Sequence, residues 1–449
     1  MADPALLYAD PAGRAIDEPQ LLATGRSWDT TYALTPEDLI PLPEGASLVS
    51  LPGRPPVGQD PATGELLEVA VEDPGQALNA VGALLPQGYT RLHLPGFGEP
   101  GEGEAERPPL PFFGYTAVAW HRGGFAVAAV RTDTPEAVDK WNPVHFNRPS
   151  LPEKIFALAR EFPTNRLVPH LAHCATEYRC FTAQNLFHRR WEAGIPVSPA
   201  CNAGCAGCLS LQAAGGAPSP QERIDFVPTA EEIAELAVAH LTKAAEAIVS
   251  FGQGCEGEPS LQAGVLAEAI RLVRRRTDRG TINLNTNAGD TQAIGQLVEA
   301  GLDSMRVTLI SARPAIYNVY HRPGGYGLSD VEASIRLARE HGVYVSLNLL
   351  AFPGLTDREE EIGALCEFIR ANGINLVQLR NLNMDPEAVV RLLPPPSGEV
   401  RGMRRLIAKL HSLPGVEVGN ASRPVKRATD QTGRDGKETP AERRRERHD

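Results

Sequence analysis

The sequence predicts an α/β protein in which a partial (β/α)6 TIM-like barrel follows a small β-rich N-terminal domain. From residue 194 onward, a short strand, a loop and a helix alternate six times, which is typical of right-handed βα units around a parallel sheet. Residues 1–150 instead carry short apolar runs between turns rich in Pro and Gly, which favours β structure. We therefore expect a β-rich domain at 1–150, a helical lead-in at 151–193 and the partial barrel at 194–385.

The chain beyond the barrel divides into two further parts. Residues 386–420 predict a C-terminal extension with a helix and a short strand. Residues 421–449 are polar and charged and hold almost no large apolar side chains, so burial there cannot offset the entropy lost on ordering. We expect this last part to be a disordered tail.

Composition and charge exclude several classes of protein. The 449 residues are 42% apolar and 22% charged, which is typical of a soluble globular protein. A formal net charge of −11 argues against a broad nucleic-acid-binding face. The N-terminus lacks the basic and apolar regions of a signal peptide, and no apolar run reaches the length of a membrane span. Together with free thiols, these features predict a cytoplasmic protein.

The elements can be assigned in chain order. In the N-terminal domain, two apolar runs at 114–120 and 125–130 flank a Gly-containing turn and predict a β-hairpin. The lead-in carries helical patterns at 152–162 and 181–193. The predicted barrel strands are 194–198, 247–251, 281–287, 304–310, 343–350 and 376–381. The predicted helices between and after them begin at Thr229 and continue at 261–276, 291–300, 329–341, 357–372 and 399–413, with a short strand at 416–418.

The two ends of the first βα unit have local signals. Pro196 has no N–H for a ladder hydrogen bond, so the first barrel strand is expected at the edge of the sheet, as in an open barrel. Thr229, followed three residues later by Glu232, predicts a capping box at the start of the first long helix.

Four predicted strands carry polar residues at every second position, although buried parallel strands are normally apolar throughout. The alternation leaves one apolar face, which the helices must cover, and one polar face. A few satisfied core hydrogen bonds would explain one or two such residues, whereas four strands together favour a polar cavity inside the barrel. The polar positions are Asn283, Asn285, Asn287, Arg306, Thr308, Ser346, Asn348, Gln378 and Arg380.

Three cysteines follow the first predicted barrel strand at a C-x3-C-x2-C spacing. Cys201, Cys205 and Cys208 lie among small residues, in a loop that can fold tightly around a ligand. Three thiolates from one loop suit a soft metal centre, either zinc or an iron–sulfur cluster. A cubane held by three Cys would keep one iron open for a substrate or cofactor.

Other Cys and His residues give a weaker signal. His173, Cys174 and Cys180 lie between the lead-in helices and could ligate a second metal, but their spacing matches no tight metal-binding loop. A buried Cys with a polar His nearby is the commoner arrangement. Cys255, in the loop after the second barrel strand, is likewise expected to be unliganded.

The C-x3-C-x2-C motif after a short apolar strand resembles the signature of the radical S-adenosylmethionine (SAM) enzymes. In that superfamily the three Cys hold a [4Fe–4S] cluster, and its open iron takes the amino and carboxylate groups of SAM. The resemblance therefore implies that Cys201, Cys205 and Cys208 are cluster ligands and that SAM is the second cofactor. Gly207 stands where the family usually has an aromatic residue. Residues 194–385 resemble the family's partial barrel.

The resemblance also implies a set of cofactor-binding residues at the ends of the strands. Gly-Glu-Pro at 257–259 is similar to the family's Gly-Gly-Glu-Pro motif, whose backbone meets the SAM amino group, and Glu256 replaces its first Gly. The turn at 352–354 resembles the segment that packs near the adenine. The residues that carry over to SAM binding are Gly257, Glu258, Pro259, Asn285, Asn287, Ser311 and Arg313.

The implied reaction begins with an external electron donor of the flavodoxin or ferredoxin type. The reduced cluster cleaves SAM, and the resulting 5′-deoxyadenosyl radical abstracts hydrogen from a substrate held in the polar lumen. No side chain is assigned a catalytic role, because the cofactor supplies the chemistry. Arg306, Gln378 and Arg380 are the candidate substrate contacts, and Arg favours an anionic group such as carboxylate or phosphate. An internal ion pair with Glu or Asp is the structural alternative for each Arg.

Two other functions stay open. One is a non-catalytic protein in which Cys201, Cys205, Cys208 and Cys255 bind zinc or a fully ligated cluster. The other is an activase that generates a glycyl radical on a partner protein. No Cys follows Cys366, so the sequence lacks the Cys-rich C-terminal extension of many peptide-modifying radical SAM enzymes.

Overall fold

The structure, a computed structural model, describes residues 3–69, 77–99, 107–212 and 217–425. Its N-terminal part is β-rich, as the sequence predicts, and the hairpin expected at 114–130 is formed by its last two strands. The strands are β1 (Ala5–Ala9), β2 (Ala15–Leu22), β3 (Thr24–Ser27), β4 (Thr30–Ala33), β5 (Leu39–Pro41), β6 (Ser47–Leu51), β7 (Val57–Gln59), β8 (Leu66–Glu68), β9 (Asn79–Leu84), β10 (Tyr89–Arg91), β11 (Leu94–Pro95), β12 (Tyr115–His121) and β13 (Gly124–Arg131).

These strands form two antiparallel sheets. The larger has the order β10-β13-β12-β9-β1-β2-β7-β8, with β5 added to β13 and β6 added to β9. The smaller has the order β11-β3-β4. Alternating apolar side chains of β1, β9, β12 and β13 pack together on one face of the larger sheet. Residues of the other register, including Ala117, Ala119 and Ala128, are buried on the opposite face.

A helical lead-in connects this domain to the parallel sheet. The helices of this region are α1 (Pro135–Lys140), α2 (Leu151–Glu161), α3 (Leu167–Thr176) and α4 (Phe181–His188). Helices α2 and α4 lie at the predicted positions, and α1 and α3 were not predicted.

The second half of the chain is built on a parallel sheet whose strands run side by side in sequence order, as a curled half-barrel. The first strand occupies an edge, as Pro196 predicts, but it covers Glu192–Gly194 rather than 194–198. Residues 195–200, hereafter the lead into the Cys loop, have no regular secondary structure. The seven strands in the described residues are β14 (Glu192–Gly194), β15 (Ile248–Phe251), β16 (Thr281–Thr286), β17 (Ser304–Leu309), β18 (Tyr344–Ala351), β19 (Leu376–Asn381) and β20 (Glu417–Gly419).

The helices of this half cover the apolar face of the sheet. The capping box predicted at Thr229 is present: its hydroxyl accepts from the Glu232 N–H, and the Glu232 carboxylate accepts from the Thr229 N–H. Helices α8 and α11 were not predicted. The helices are α5 (Ala230–Lys243), α6 (Ala263–Arg276), α7 (Thr291–Ala300), α8 (Pro314–His321), α9 (Leu328–Glu340), α10 (Glu359–Asn372), α11 (Pro386–Leu392) and α12 (Met403–His411).

The predicted polar face exists, and the strand register groups its residues into rows. Asn285 of β16 pairs in register with Arg306 of β17, and Thr308 of β17 pairs with Asn348 of β18. Because paired residues of parallel strands point to the same side, these polar side chains face the concave side of the sheet together.

The N-terminal domain is held to the barrel by buried arginines. Arg91 at the end of β10 is buried and donates to the carbonyl oxygens of Ala351 and Leu382 at 3.3 and 3.0 Å. Arg54, also buried, pairs with Asp385 at 2.7 Å. Both contacts lie just after β18 and β19, so the domain covers the carboxyl ends of these strands.

The disordered tail was predicted to begin at residue 421, but the chain is still packed against the barrel there. Ala421 is buried, and the Ser422 hydroxyl contacts Arg306 at 2.6 Å in the interior of the barrel. The chain is retained to at least Val425, whose N–H donates to the Thr281 hydroxyl at 2.8 Å. Residues 426–449 lie outside the described residues.

Within the described parts of the chain, no helix combines the length and the apolar character needed to cross a bilayer.

Candidate functional site

A cavity of about 470 Å³ opens at the carboxyl ends of the parallel strands, a size within the usual range for small-molecule sites. The Cys loop forms one side of it, and polar side chains of the strands form the floor. The lining residues used below are Gln87, Trp141, Cys201, Cys205, Gly207, Cys208, Arg223, Glu256, Gly257, Glu258, Asn285, Asn287, Arg306, Tyr320, His321, Asn348 and Arg380.

The thiols of Cys201, Cys205 and Cys208, hereafter the loop thiols, are not found as a close group of three metal-type ligands in the described residues. Zinc with Zn–S bonds of ~2.3 Å holds its sulfur ligands about 3.8 Å apart. In the described residues, three potential metal ligands lie within 4.8 Å of one another in a different place, at His170, Cys174 and Cys255. The loop thiols still interact, because burial and the charges of the other two raise the pKa of Cys205 to about 12. This donor set, three thiols from one loop, fits an iron–sulfur cluster.

The second group, formed by His170, Cys174 and Cys255 and hereafter called the lead-in group, does not belong to this cavity. Cys174 and Cys255 are buried, and none of the three residues lines the cavity. Cys255 therefore does not stand beside the loop thiols as a fourth ligand.

His321, at the end of α8, contacts the middle loop thiol. Its Nδ1 lies 3.4 Å from the Cys205 sulfur, while its Nε2 accepts from the Ile310 backbone N–H at 3.3 Å. Because Nε2 is an acceptor, the neutral ring carries its proton on Nδ1 and donates it to the sulfur. Burial lowers the pKa of His321 to about 3, so the ring stays neutral at physiological pH. Hydrogen bonds to ligand sulfurs are one way in which proteins set cluster potentials.

Arg223 plays a comparable part at the third loop thiol. Its Nη2 lies 3.5 Å from the Cys208 sulfur, and its Nε donates to the Ser210 hydroxyl at 2.9 Å. Burial acts to raise the pKa of Cys208, but hydrogen bonds from Ser210 and Arg223 outweigh it and leave the pKa below its ordinary value. The thiolate, which is the metal-binding form, is thereby favoured.

Gly207, the departure from the family pattern, makes room for an aromatic side chain from elsewhere in the chain. A Cβ at position 207 would overlap the Tyr320 hydroxyl and contact Met384. Tyr320 is buried, belongs to α8 and lines the cavity. An aromatic ring therefore stands beside the third Cys, although it comes from a different segment.

The Gly-Glu-Pro segment pairs with the lead into the Cys loop. The Gly257 N–H donates to the Ser198 carbonyl at 2.7 Å, and the Glu258 N–H donates to the Ala200 carbonyl at 2.8 Å. A Cβ on Gly257 would overlap the Ala200 carbonyl oxygen. Glycine is needed here because two backbone segments approach too closely for any side chain.

Glu256, which replaces a glycine of the family motif, ties the same two segments together. Its carboxylate is buried, and burial raises its pKa to about 8, against the opposing effect of its hydrogen bonds. It accepts from four backbone N–H groups, those of Val197, Ser198, Gly252 and Gln253. The Glu256 side chain therefore joins the lead into the Cys loop to the loop after β15.

The Glu258 carboxylate is engaged by the protein itself. It accepts from the Thr286 hydroxyl at 2.6 Å and from the Asn287 N–H at 2.8 Å. It also accepts from the Ser260 N–H at 3.0 Å, while burial raises its pKa. These contacts fix the end of β16 and engage the Glu258 side chain within the protein.

Asn285 and Asn287 lie where the sequence predicted them, on the cavity wall. The Asn287 side-chain amide donates to the Asn202 side chain at 2.6 Å, which links the end of β16 to the Cys loop. The Asn285 amide donates to the Phe251 carbonyl at 2.8 Å, and its oxygen accepts from Arg306 at 2.7 Å.

Three predicted cofactor contacts, Pro259, Ser311 and Arg313, do not line the cavity. Pro259 is buried at the start of a 3-10 turn, Pro259–Gln262. Ser311 donates to Glu361 at 2.5 Å, and Arg313 pairs with the same carboxylate at 3.2 Å. Both residues are drawn toward α10, away from the concave face.

The turn at 352–354 also contacts another segment of the protein and does not line the cavity. The Trp28 N–H donates to the Pro353 carbonyl at 3.0 Å. A Cβ on Gly354 would overlap the Trp28 backbone nitrogen. This turn is therefore part of the contact with the N-terminal domain.

The three candidate substrate contacts have different surroundings. Arg306 forms an internal ion pair with buried Glu192 at 3.2 Å. Burial acts to raise the pKa of Glu192, but Arg306 and neighbouring hydroxyls lower it overall, so the pair is charged. Gln378 is buried outside the cavity lining and donates to the Ala421 carbonyl at 3.1 Å.

Arg380 contacts only neutral acceptors among its hydrogen-bond partners in the described residues. Its guanidinium donates to the side-chain oxygens of Asn348, Gln378 and Asn420 at 3.2–3.3 Å. Burial lowers its pKa to about 10, and it lines the cavity. Arg380 is thus a largely desolvated cation that faces the cavity beside amide groups.

Several cavity residues were not predicted from the sequence, among them Arg223 and Glu192. His321 and Tyr320 lie on α8, a helix that Pro314 at its first position could have signalled. Gln87 and Trp141 reach the cavity from the N-terminal region and had no local signal.

A protein-family model matches the central part of the chain. Residues 195–366 match the family model of the radical SAM superfamily. No curated protein sequence matches the chain.

Solved structures with low overall similarity to this chain include a protein named as a radical SAM enzyme and a protein bound to S-adenosylmethionine. A radical SAM methyltransferase from Sphaerobacter thermophilus is 18% identical with a TM-score of 0.36, over 51% of this chain and 65% of that one. SuiB from Streptococcus suis, solved with S-adenosylmethionine, is 12% identical with a TM-score of 0.36, over 57% and 54%. Methylornithine synthase (PylB) is 16% identical with a TM-score of 0.33, over 58% and 83%. The chain spans less than two thirds of the first two, so the assignment rests on the family model.

Proposed function

Residues 195–366 of this chain form a radical SAM domain, and from this premise we propose that the protein is a reductive SAM-cleaving enzyme acting on an anionic substrate. The loop thiols would hold a [4Fe–4S] cluster, and the cavity beside them would receive SAM and the substrate. When bound, the cluster and SAM supply a 5′-deoxyadenosyl radical that abstracts hydrogen. An external donor of the flavodoxin or ferredoxin type would supply the electron.

The observation that carries this proposal is the position of the loop thiols. They line the cavity, they come from one loop, and two hydrogen-bond donors, His321 and Arg223, face the sulfurs of Cys205 and Cys208. Arg223 favours the Cys208 thiolate, and thiolates are the ligands of iron–sulfur clusters. The separation of Cys255 from these thiols supports an open cluster over the alternative of a closed four-Cys site.

The backbone around Gly257 is the best candidate to bind the methionyl part of SAM. It lies against the lead into the Cys loop, and its neighbouring carboxylates, Glu256 and Glu258, are already occupied by backbone donors. Asn285 and Asn287 add polar groups on the adjacent strand end. We include Gly257, Glu258, Asn285 and Asn287 in the SAM site and leave out Pro259, Ser311 and Arg313, which do not reach the cavity.

Arg380 is the residue that favours an anionic substrate. Arg306 is already neutralised by Glu192, whereas Arg380 has amide partners alone among its hydrogen-bond acceptors. A desolvated guanidinium gains most from a carboxylate or phosphate, because it can bind two oxygens at once. The N-terminal domain would close the cavity above it through Gln87 and Trp141, which limits access of water to the reaction.

The test is an anaerobic assay with reconstituted iron and sulfide, SAM and a strong reductant, in which 5′-deoxyadenosine is measured by mass spectrometry. We expect the product from the wild-type chain and none above background from Cys205→Ala. Cys366→Ser, which changes a buried Cys on α10, is the matched control and should retain the activity. An intact reduced cluster that neither binds nor cleaves SAM would contradict the proposal.

A further inference from the structure

The lead-in group has the composition of a metal site and lies outside the cavity. His170 Nε2 is 3.6 Å from the Cys174 sulfur, and the ligand atoms of His170, Cys174 and Cys255 all lie within 4.8 Å of one another. His170 and Cys174 are four residues apart on α3, so they share one face of that helix. Cys255 meets them from the loop after β15. We propose that these three side chains bind a zinc ion, independently of the cluster.

The distance between His170 and Cys174 matches the geometry of a zinc site. A tetrahedral ion with Zn–S of ~2.3 Å and Zn–N of ~2.0–2.1 Å holds a sulfur and a nitrogen about 3.6 Å apart. The observed separation between His170 and Cys174 is 3.6 Å. Thiolate and imidazole are also the ligand types that zinc prefers, whereas calcium and magnesium require oxygen.

The surroundings allow an ion to enter and then shield it. Cys174 and Cys255 belong to the apolar core of the barrel half, while His170 is only partly buried. The ion would enter beside His170, and a water molecule on that side would complete a tetrahedron. Cys180 is close by, but its thiol contacts the Thr182 hydroxyl at 3.3 Å and is not within the lead-in group.

The position of the site gives it a structural role. The Cys255 carbonyl accepts from the Ile224 N–H at 2.8 Å, and the next residue is Glu256, which holds the lead into the Cys loop. A zinc ion would therefore join α3 to the loop that continues into Gly257. Such an ion stabilises the folded chain by its binding free energy, because the ligands are dispersed when the chain unfolds.

The experiment uses the full chain with Cys201, Cys205 and Cys208 replaced by Ala, so that the loop thiols cannot take up metal. After dialysis against zinc, elemental analysis should find about one zinc per chain. His170→Gln and Cys255→Ser, added singly, should weaken zinc binding by at least about 100-fold, and Cys366→Ser should leave it unchanged. Cobalt in place of zinc should give the thiolate charge-transfer band and the intense d–d bands of a tetrahedral site.

Two results would overturn the proposal. One is less than about a tenth of a zinc per chain in the parent protein, since an assembled site should fill at micromolar zinc. The other is equal zinc affinity in the parent and in His170→Gln. The His170 variant is decisive even if Cys255→Ser fails to fold, because a partly exposed side chain can be changed without opening a core cavity. Neither result depends on SAM cleavage, so failure of this proposal is separable from failure of the proposed function.

Discussion

The protein carries two groups of thiols, and they differ in spacing and surroundings. The loop thiols come from one loop and border a cavity together with polar side chains. The lead-in group is tight, buried among apolar side chains and supplied with an imidazole. The comparison teaches that ligand type alone does not identify a centre. Position relative to the cavity distinguishes the group that we propose holds the cluster from the group that we propose joins α3 to the loop after β15.

The strongest test of this difference is whether each group loses only its own metal. Cys208→Ala should remove nearly all cluster iron and leave zinc in place, because it deletes a loop thiolate and none of the lead-in ligands. Cys174→Ala should do the reverse. Iron, sulfide and zinc per chain are measured on the same anaerobic samples. Loss of both metals in both variants would mean that the two groups form a single cooperative unit.

A smaller effect is expected where the Cys loop is packed against the Gly-Glu-Pro segment. Gly257→Ala should destabilise the protein by about 2–4 kcal/mol, because its Cβ would overlap the Ala200 carbonyl and displace the lead into the loop. Cluster iron should fall with it. Thermal and denaturant unfolding, with iron content, provide the measurement.

Gly264→Ala is the matched control for this substitution. Gly264 is exposed on α6, and a Cβ there meets nothing within 4 Å. Alanine should therefore stabilise the chain by about 0.5–1 kcal/mol, since it favours the helix. Equal stability of the two alanine variants would show that the close approach at Gly257 does not constrain the loop.

Much of this arrangement could be predicted from the sequence, because its signals are local. The C-x3-C-x2-C spacing, the βα alternation and the capping box at Thr229 each depend on residues close together in the chain. The polar face followed from a period of two within single strands, and strand register then aligned it across the sheet. Strand ends and the start of the tail were less accurate, as Glu192–Gly194 and Ser422 illustrate.

The remainder depends on contacts between distant segments. Arg306 and Arg380 occupy equivalent positions in the sequence pattern. Glu192 forms an ion pair with Arg306, whereas Arg380 has only neutral hydrogen-bond acceptors in the described residues, although the charges of Glu192 and Asp133 also act on it. The proximity of Cys255 and Cys174 could not be predicted from the sequence, because their segments come together only when α3 packs against the barrel. Local periodicity predicts faces, whereas pairing across a core is set by tertiary packing.

Glu256 follows Cys255 of the lead-in group and binds the backbone before the loop thiols. Its replacement therefore tests how strongly this side chain holds the Cys loop. Glu256→Gln should cost about 1 kcal/mol at pH 7, because a pKa of about 8 leaves the carboxyl group largely protonated there and the amide differs from it by an NH2 group that faces backbone N–H donors. Cluster iron should decrease while zinc stays bound, since the lost contacts hold residues 197 and 198 before the Cys loop. Glu299→Gln, exposed on α7, is the control and should change neither. An unchanged free energy of unfolding would mean that the four N–H groups do not depend on the carboxylate.

The smallest effect is expected at His321 and concerns the cluster alone. His321→Leu removes the Nδ1–H that faces the Cys205 sulfur. A hydrogen bond of about 1 kcal/mol that stabilises the more negative reduced state corresponds to a potential about 50 mV more negative when it is lost. A redox titration followed by electron paramagnetic resonance measures this, with His341→Gln at the exposed end of α9 as the control. Iron content should be unchanged, because the substitution removes a hydrogen-bond donor and no cluster ligand. An unaltered potential with a full cluster would show that His321 serves packing near Ile310 and does not tune the thiolate.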